Sequence, residues 1–272
     1  MLSSTHGFSL LLRFCVLLSL WLAALGGYAQ GSPYQLTKAR EIPLLGVGIA
    51  GTVGSMLLKE EREPLTLQEL NALRASDILA IDRSVNNFSG SARVASDVLV
   101  ASSFAAPLIL LTFEESRADA GTWGVMLLET VLLNEALTGM TKALVTRPRP
   151  FTYNETLSSE ERTTDDNTFS FFSGHTSHSA ALAFFTARVI SVYVDRPAVR
   201  TVAWTVAALL PAATGWMRYE AGKHFPTDVV VGYAVGASVG LLIPYLHRSR
   251  KRSSSERAFR VVPYGLGIAV VF

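Results

Sequence analysis

A single cysteine, Cys15, in 272 residues excludes a disulfide framework and leaves no cysteine for a metal centre. Charge is scarce as well. Asp, Glu, Lys and Arg make up 17% of the chain, against about 25% in typical soluble domains. The net charge is only +2, so no basic excess marks a nucleic-acid partner. With 49% apolar residues, this composition points to a membrane protein. Its apolar stretches are nevertheless short for spans of about 20 residues, so a soluble all-helical bundle competes with that reading.

Residues 1–29 read as an export signal. Arg13 precedes the apolar run Phe14–Leu25, and Gly27-Tyr28-Ala29 offers small residues for cleavage after Ala29. An uncleaved anchor is the alternative. Residues 42–246 form the main domain and 247–272 a basic, flexible tail ending in a strand-like stretch, 261–272.

Within the main domain, six segments are apolar: 42–58, 98–113, 121–145, 176–194, 201–217 and 229–246. The third carries Glu129, Asn134 and Glu135. In the sixth, Gly232, Gly236 and Gly240 recur every four residues, a stripe that lets helix backbones approach closely. Thr66 and Glu69 form a capping box, and the pattern beyond it predicts an amphipathic helix over 66–83, followed by a turn at 86–90. The link 151–170 holds Glu155, Glu160, Glu161, Asp165 and Asp166 against Arg162 alone, and reads as a solvated loop, with a lid over the site as the alternative.

Basic residues set the orientation. Arg196, Arg200 and the run Arg248–Arg252 would face the cytoplasm under the positive-inside rule, which puts residues 142–175 and 218–228 on the opposite side. A cleaved signal followed by crossings at 42–58, 98–113 and 121–141 would instead leave Lys142 in the cytoplasm. Either 42–58 does not cross, or the signal is uncleaved and the first 30 residues do not cross.

Three of the five histidines (His175, His178, His224) fall between Lys142 and Asp228. Lys142, Arg149 and Arg218 gather there too, and cations that outnumber nearby carboxylates call for an external anion. Phosphate fits, held by arginine forks and a lysine point charge, with Ser173 and the amide of Gly174 at a helix N-terminus. His224 and Asp228, four residues apart, share a helical face. A metal site built from His175, His178, His224 and Asp228 is disfavoured by the surrounding cations, and no cofactor is expected. His178 reads as a helix-face residue.

The pattern Lys142-x6-Arg149-Pro150, Ser173-Gly174-His175 and Arg218-x5-His224-x3-Asp228 resembles the signature of the type 2 phosphatidic acid phosphatase superfamily, which also holds class A acid phosphatases and vanadium haloperoxidases. Phe172 and Met217 stand where that pattern has proline and serine. The resemblance implies an all-α, membrane-embedded bundle of about six helices in a bacterial inner membrane, its site facing the periplasm. It further implies a metal-independent phosphatase acting on a lipid phosphomonoester or pyrophosphate. His224 would be the nucleophile, Asp228 its orienter and His175 the acid and then the base. Lys142, Arg149, Ser173, Gly174 and Arg218 would bind the phosphate. Partners are the lipid substrate and membrane lipids, with no nucleic acid. A soluble acid phosphatase, a vanadate-dependent haloperoxidase and a non-catalytic protein of the same fold are the alternatives.

Overall fold

The computed structural model describes residues 32–84, 86–249, 260–264 and 267–271, together with positions 13, 16, 17 and 20. The expected signal segment and its cleavage point therefore lie outside the described residues. From residue 32 on, nine α-helices follow one another among the described residues: α1 (Lys38–Glu60), α2 (Leu67–Ala72), α3 (Gly90–Ala105), α4 (Glu114–Arg117), α5 (Ala120–Val145), α6 (Ser159–Arg162), α7 (Gly174–Tyr193), α8 (Pro197–Glu220) and α9 (Pro226–Leu246). A 3-10 segment, Ala106–Thr112, extends α3 past Pro107.

Six of these run the length of the bundle, and their contacts give each direction. Gly48, Gly51 and Gly139 bring α1 and α5 side by side and parallel, Gly48 facing Leu132 and Gly51 facing Ala136. On α9 the stripe Gly232, Gly236, Gly240 lies against the backbone carbonyls of Ser173, Ser177 and Ala181 in turn, so α9 runs parallel to α7. A Cβ on Gly232 would sit 2.6 Å from the Ser173 carbonyl. The stripe is thus a close helix–helix seam, as its spacing predicts. Thr214 reaching Ser179, and Arg218 reaching Ser96, set α8 antiparallel to α7 and α3.

Trp123, Met126, Leu127 and Val131 of α5 meet Leu182, Phe185 and Val189 of α7, and Val239 and Ile243 of α9, in the central core. The outward faces are apolar too: Ile42, Val47, Val53 and Leu57 on α1, Val202, Val206 and Leu209 on α8, and Val230 and Leu242 on α9 are exposed. Such a surface is out of place in water. Lys38–Glu60, Gly90–Thr112 and Pro226–Leu246 are long and apolar enough to cross a membrane, and the chain is a membrane protein.

Three expectations need correcting. The predicted helix over 66–83 is one helix of six residues, α2, after which come two 3-10 turns, Ala75–Asp77 and Ala80–Asp82. The Thr66–Glu69 capping box forms, but only Leu70 of the helix is buried. Leu73 and Arg74 turn extended, and Asp82 is drawn off to pair with Arg147 at 2.8 Å. A cap without an apolar face does not sustain a helix. The link 151–170 is solvated only in part: Glu155, Glu160, Glu161 and Asp165 are exposed as expected, but Phe151, Thr152, Asn154, Arg162, Asn167 and Ser170 are buried. Finally, the strand-like tail is two short antiparallel strands, β1 (Arg260–Tyr264) and β2 (Gly267–Val271), paired as a hairpin.

Candidate active site

Every block of the sequence pattern arrives at the same end of the bundle. Lys142 lies in the last turn of α5. Thr146 then ends that helix in the left-handed region, φ 39°, which turns the chain so that Arg147–Arg149 crosses the bundle end. Gly222, φ +66°, makes the second sharp turn, between α8 and α9, where a Cβ would strike the Asn87 carbonyl. This turn delivers Lys223 and His224 beside Arg149, whose Nη1 donates to the Lys223 carbonyl at 3.2 Å. Ser173 caps α7, accepting from the Thr176 amide at 3.5 Å, while its own N–H donates to the Asp228 carbonyl at 3.0 Å. Gly174 lies against Thr138 and Lys142.

The site is built from buried charges. Arg149, Arg218, His224 and Asp228 are all at most 5% exposed. Lys142 Nζ donates to the Phe169 carbonyl (2.9 Å), and Arg149 Nε to that of Asp166 (2.7 Å). Arg218 is 3.4 Å from Ser96 Oγ and 3.7 Å from Asp97. Burial, reinforced by the charges of Lys142, Arg149, Arg218 and His175, holds the His224 ring well below the usual imidazole range. The ring is therefore neutral. Burial pushes the Asp166 carboxyl up, but Arg149 and Lys223 outweigh it and hold the group well below the usual carboxylate range. Burial and Arg149 together bring Lys223 down to about 8.

His224 and Asp228 share a helix face as expected, yet the carboxylate is not the nearest partner of the ring. Nδ1–H donates to the Ser170 carbonyl at 2.7 Å, and Asp228 Oδ2 stands at 3.7 Å. With the proton fixed on Nδ1, the lone pair sits on Nε2, the form an attacking imidazole requires. Asp228 instead fastens the surrounding backbone: it accepts from Ser170 Oγ (2.5 Å), the Phe225 amide (2.9 Å) and Arg147 (2.5 Å). Ser170 thus ties the carboxylate to the ring through its own side chain and carbonyl.

Several members of the site carry no sequence signal. Asp97 accepts from His175 Nε2 at 2.9 Å. It lies one residue outside the apolar segment that begins at Val98, where nothing singles it out. Asp166, in the acidic link, pairs with Arg149 at 3.0 Å. Lys223, 3.7 Å from Asp166 and stacked over Phe151, adds a further cation. Arg147 lies between the motif positions and bridges Asp82 and Asp228 over the Phe225 ring. His178, by contrast, is in the core: buried, stacked on Phe104, and 3.3 Å from Glu135.

The helix ends of this membrane bundle thus converge on a cluster of cations around two imidazoles. The family model described as the PAP2 superfamily matches residues 123–252. A solved structure described as the first transmembrane PAP2-type phosphatidylglycerolphosphate phosphatase, from Bacillus subtilis, is similar over 89% of this chain and 98% of its own, at 18% identity and a TM-score of 0.44. No curated protein matches the sequence significantly.

Proposed function

We propose that this chain is a lipid phosphatase that hydrolyses a phosphomonoester or pyrophosphate through a phosphohistidine, with no metal in the reaction. The observation that carries this reading is the neutral, buried His224 ring, its proton held on Nδ1 by Ser170, under the positive charge of Lys142, Arg149 and Arg218. Those cations neutralise phosphate oxygens, which would otherwise repel a nucleophile. Nε2 attacks phosphorus, and the P–O bond to the leaving group breaks as His175 gives that oxygen a proton. His175, now neutral, takes a proton from water. The hydroxide oxygen attacks phosphorus, the P–N bond breaks, and inorganic phosphate leaves with His224 restored. The same cations would repel a dication from this place. A lipid fits because the site lies at the end of apolar helices, at the membrane–water boundary.

Purified, detergent-solubilised protein supplied with phosphatidic acid, phosphatidylglycerol phosphate, a polyprenyl pyrophosphate and a soluble aryl phosphate should release phosphate faster from at least one lipid than from the aryl ester. Orthovanadate should inhibit. No release from any of them overturns the reading.

The path of the chain bears on sidedness. Ser32–Thr37 lies at the bundle end opposite the cradle, where the Gln35 amide donates to the His247 carbonyl. If α1 crosses and the cradle faces the periplasm, Ser32 is cytoplasmic, which favours an uncleaved N-terminus over cleavage after Ala29. In a Cys15→Ser background, an impermeant thiol reagent on intact spheroplasts should label Ser159→Cys and spare Asp195→Cys, both exposed positions. The opposite labelling would place the site in the cytoplasm.

A further inference from the structure

At the end of the bundle away from the cradle, three residues distant in sequence meet: Glu41 in the first turn of α1, Glu129 in α5 and His247 just past α9. Their ligand atoms all lie within 4.8 Å of one another. Glu129, thirteen residues before Lys142, is about 20 Å along α5 from the cradle. All three are buried.

Among the described residues the cluster sets one cation, Arg40, against two carboxylates. His247 Nδ1–H is already committed to the Ile243 carbonyl at 2.7 Å, and Nε2 stands 3.0 Å from Glu129 Oε2 and 3.1 Å from Glu41 Oε1. Neither oxygen lies where an N–H there would form a hydrogen bond, and both oxygens of Glu129 are buried with no hydrogen-bond partner. Two unpartnered carboxylate oxygens in the interior are costly. Arg40 holds Glu41 Oε1 at 2.8 Å, and its Nη1 donates to the Leu246 carbonyl, but no hydrogen bond from it reaches Glu129. With a neutral ring the four side chains sum to one negative charge.

We propose that Glu41, Glu129 and His247 form a structural binding site for a divalent cation of the zinc class, unconnected with the reaction at the cradle. One imidazole and two carboxylates are a zinc-type donor set, whereas calcium and magnesium favour oxygen alone. At zinc bond lengths of about 2.0–2.2 Å, neighbouring ligand atoms stand roughly 3–3.5 Å apart, as His247 Nε2 does from Glu129 Oε2 and Glu41 Oε1. His247 Nε2, Glu41 Oε1 and both oxygens of Glu129 supply four ligand atoms. The ion would tie the start of α1, the middle of α5 and the end of α9 together, where Ser32–Thr37 also docks.

The test uses the full chain in detergent, stripped with chelator and dialysed, then given Zn2+, with Mg2+ as a control. Zinc content by mass spectrometry should approach one ion per chain, and zinc in hundredfold excess over its Kd should raise the melting temperature by roughly 5–10 °C. Glu129→Gln should lose both responses and keep phosphate release from the best lipid substrate; His247→Gln is the second variant. Wild-type protein that retains no more zinc than Glu129→Gln, with no shift in melting, overturns the site and leaves a proton on His247 as the compensating charge. Should neither variant fold, wild-type protein that takes up far less than one zinc per chain with no shift in melting overturns the site by itself, and this outcome does not depend on the phosphatase reading, which phosphate release tests separately.

Discussion

The two ends of this bundle are opposites in charge. At one, Lys142, Arg147, Arg149, Arg218 and Lys223 surround two imidazoles, with Asp82, Asp97, Asp166 and Asp228 as their carboxylate partners. At the other, two glutamates face one histidine, and a single guanidinium, Arg40, pairs with Glu41 alone. The same helices supply both: α5 carries Glu129 at one level and Lys142 at the other. An apolar bundle tolerates a buried charge only with a partner. The proposed anion at the first end and the proposed cation at the second would each offset the local excess. Substitutions at the cradle should cost turnover, and those at the far end should cost stability alone.

The sharpest break of that contrast is His224→Ala. Turnover should fall by roughly 10⁴-fold or more, as when a nucleophile is removed, and the acid-labile phosphoryl-enzyme seen on rapid quenching of wild type should vanish. Melting should change little in comparison. A phosphoryl group trapped on the His224→Ala protein would move the nucleophile elsewhere.

How this site was read from sequence separates what residue spacing carries from what only the fold brings together. Lys142, Arg149, Ser173, Gly174, His175, Arg218, His224 and Asp228 keep fixed separations within short segments, so their convergence on one end was expected, and all of them reach it. The six long helices were legible as apolar stretches, and the Gly232–Gly240 seam from its period. Asp97, Asp166 and Lys223 could not be read in this way, because nothing local distinguishes a carboxylate that meets His175 from one that meets water. Ser170 was invisible for a different reason: its contribution to His224 is a backbone carbonyl. Glu129 did stand out as a charge in an apolar segment, but its partners Glu41 and His247 lie 88 and 118 residues away along the chain. The false helix over 66–83 came from a true cap with no buried face behind it.

A smaller effect should follow from Asp97→Asn. Asp97 touches His175 and stands 3.7 Å from Arg218, so it is a positioning residue acting through the proton donor. Loss of about 10- to 100-fold in turnover is expected on an alkyl phosphate, less than the roughly 10²–10⁴-fold of losing a general acid outright. An aryl phosphate leaves without needing a proton and should be slowed far less. A structural role would slow both esters equally, and that outcome would detach Asp97 from proton transfer.

The smallest expected effect separates stability from activity by pH. Lys223 sits near pKa 8 because burial and Arg149 oppose its charge, against about 10.4 in an unfolded chain. The free enzyme therefore loses this cation as pH rises through 8, and phosphate capture weakens, so kcat/KM should bend downward there. Once bound, a phosphate dianion restores the proton, and kcat should bend less. Stability moves the other way. Between about pH 8 and 10.4 the unfolded chain binds more protons at this position, so the contribution of Lys223 to stability rises with pH. A falling kcat/KM over a melting temperature that does not fall would assign the limb to the cradle and not to unfolding. His224 adds no acid limb near 6.5, because its ring is already neutral well below that pH. Lys223→Gln should lower kcat/KM several-fold at pH 7 and flatten the profile above 8. If the bend near 8 persists in that variant, Lys223 is not the titrating cation.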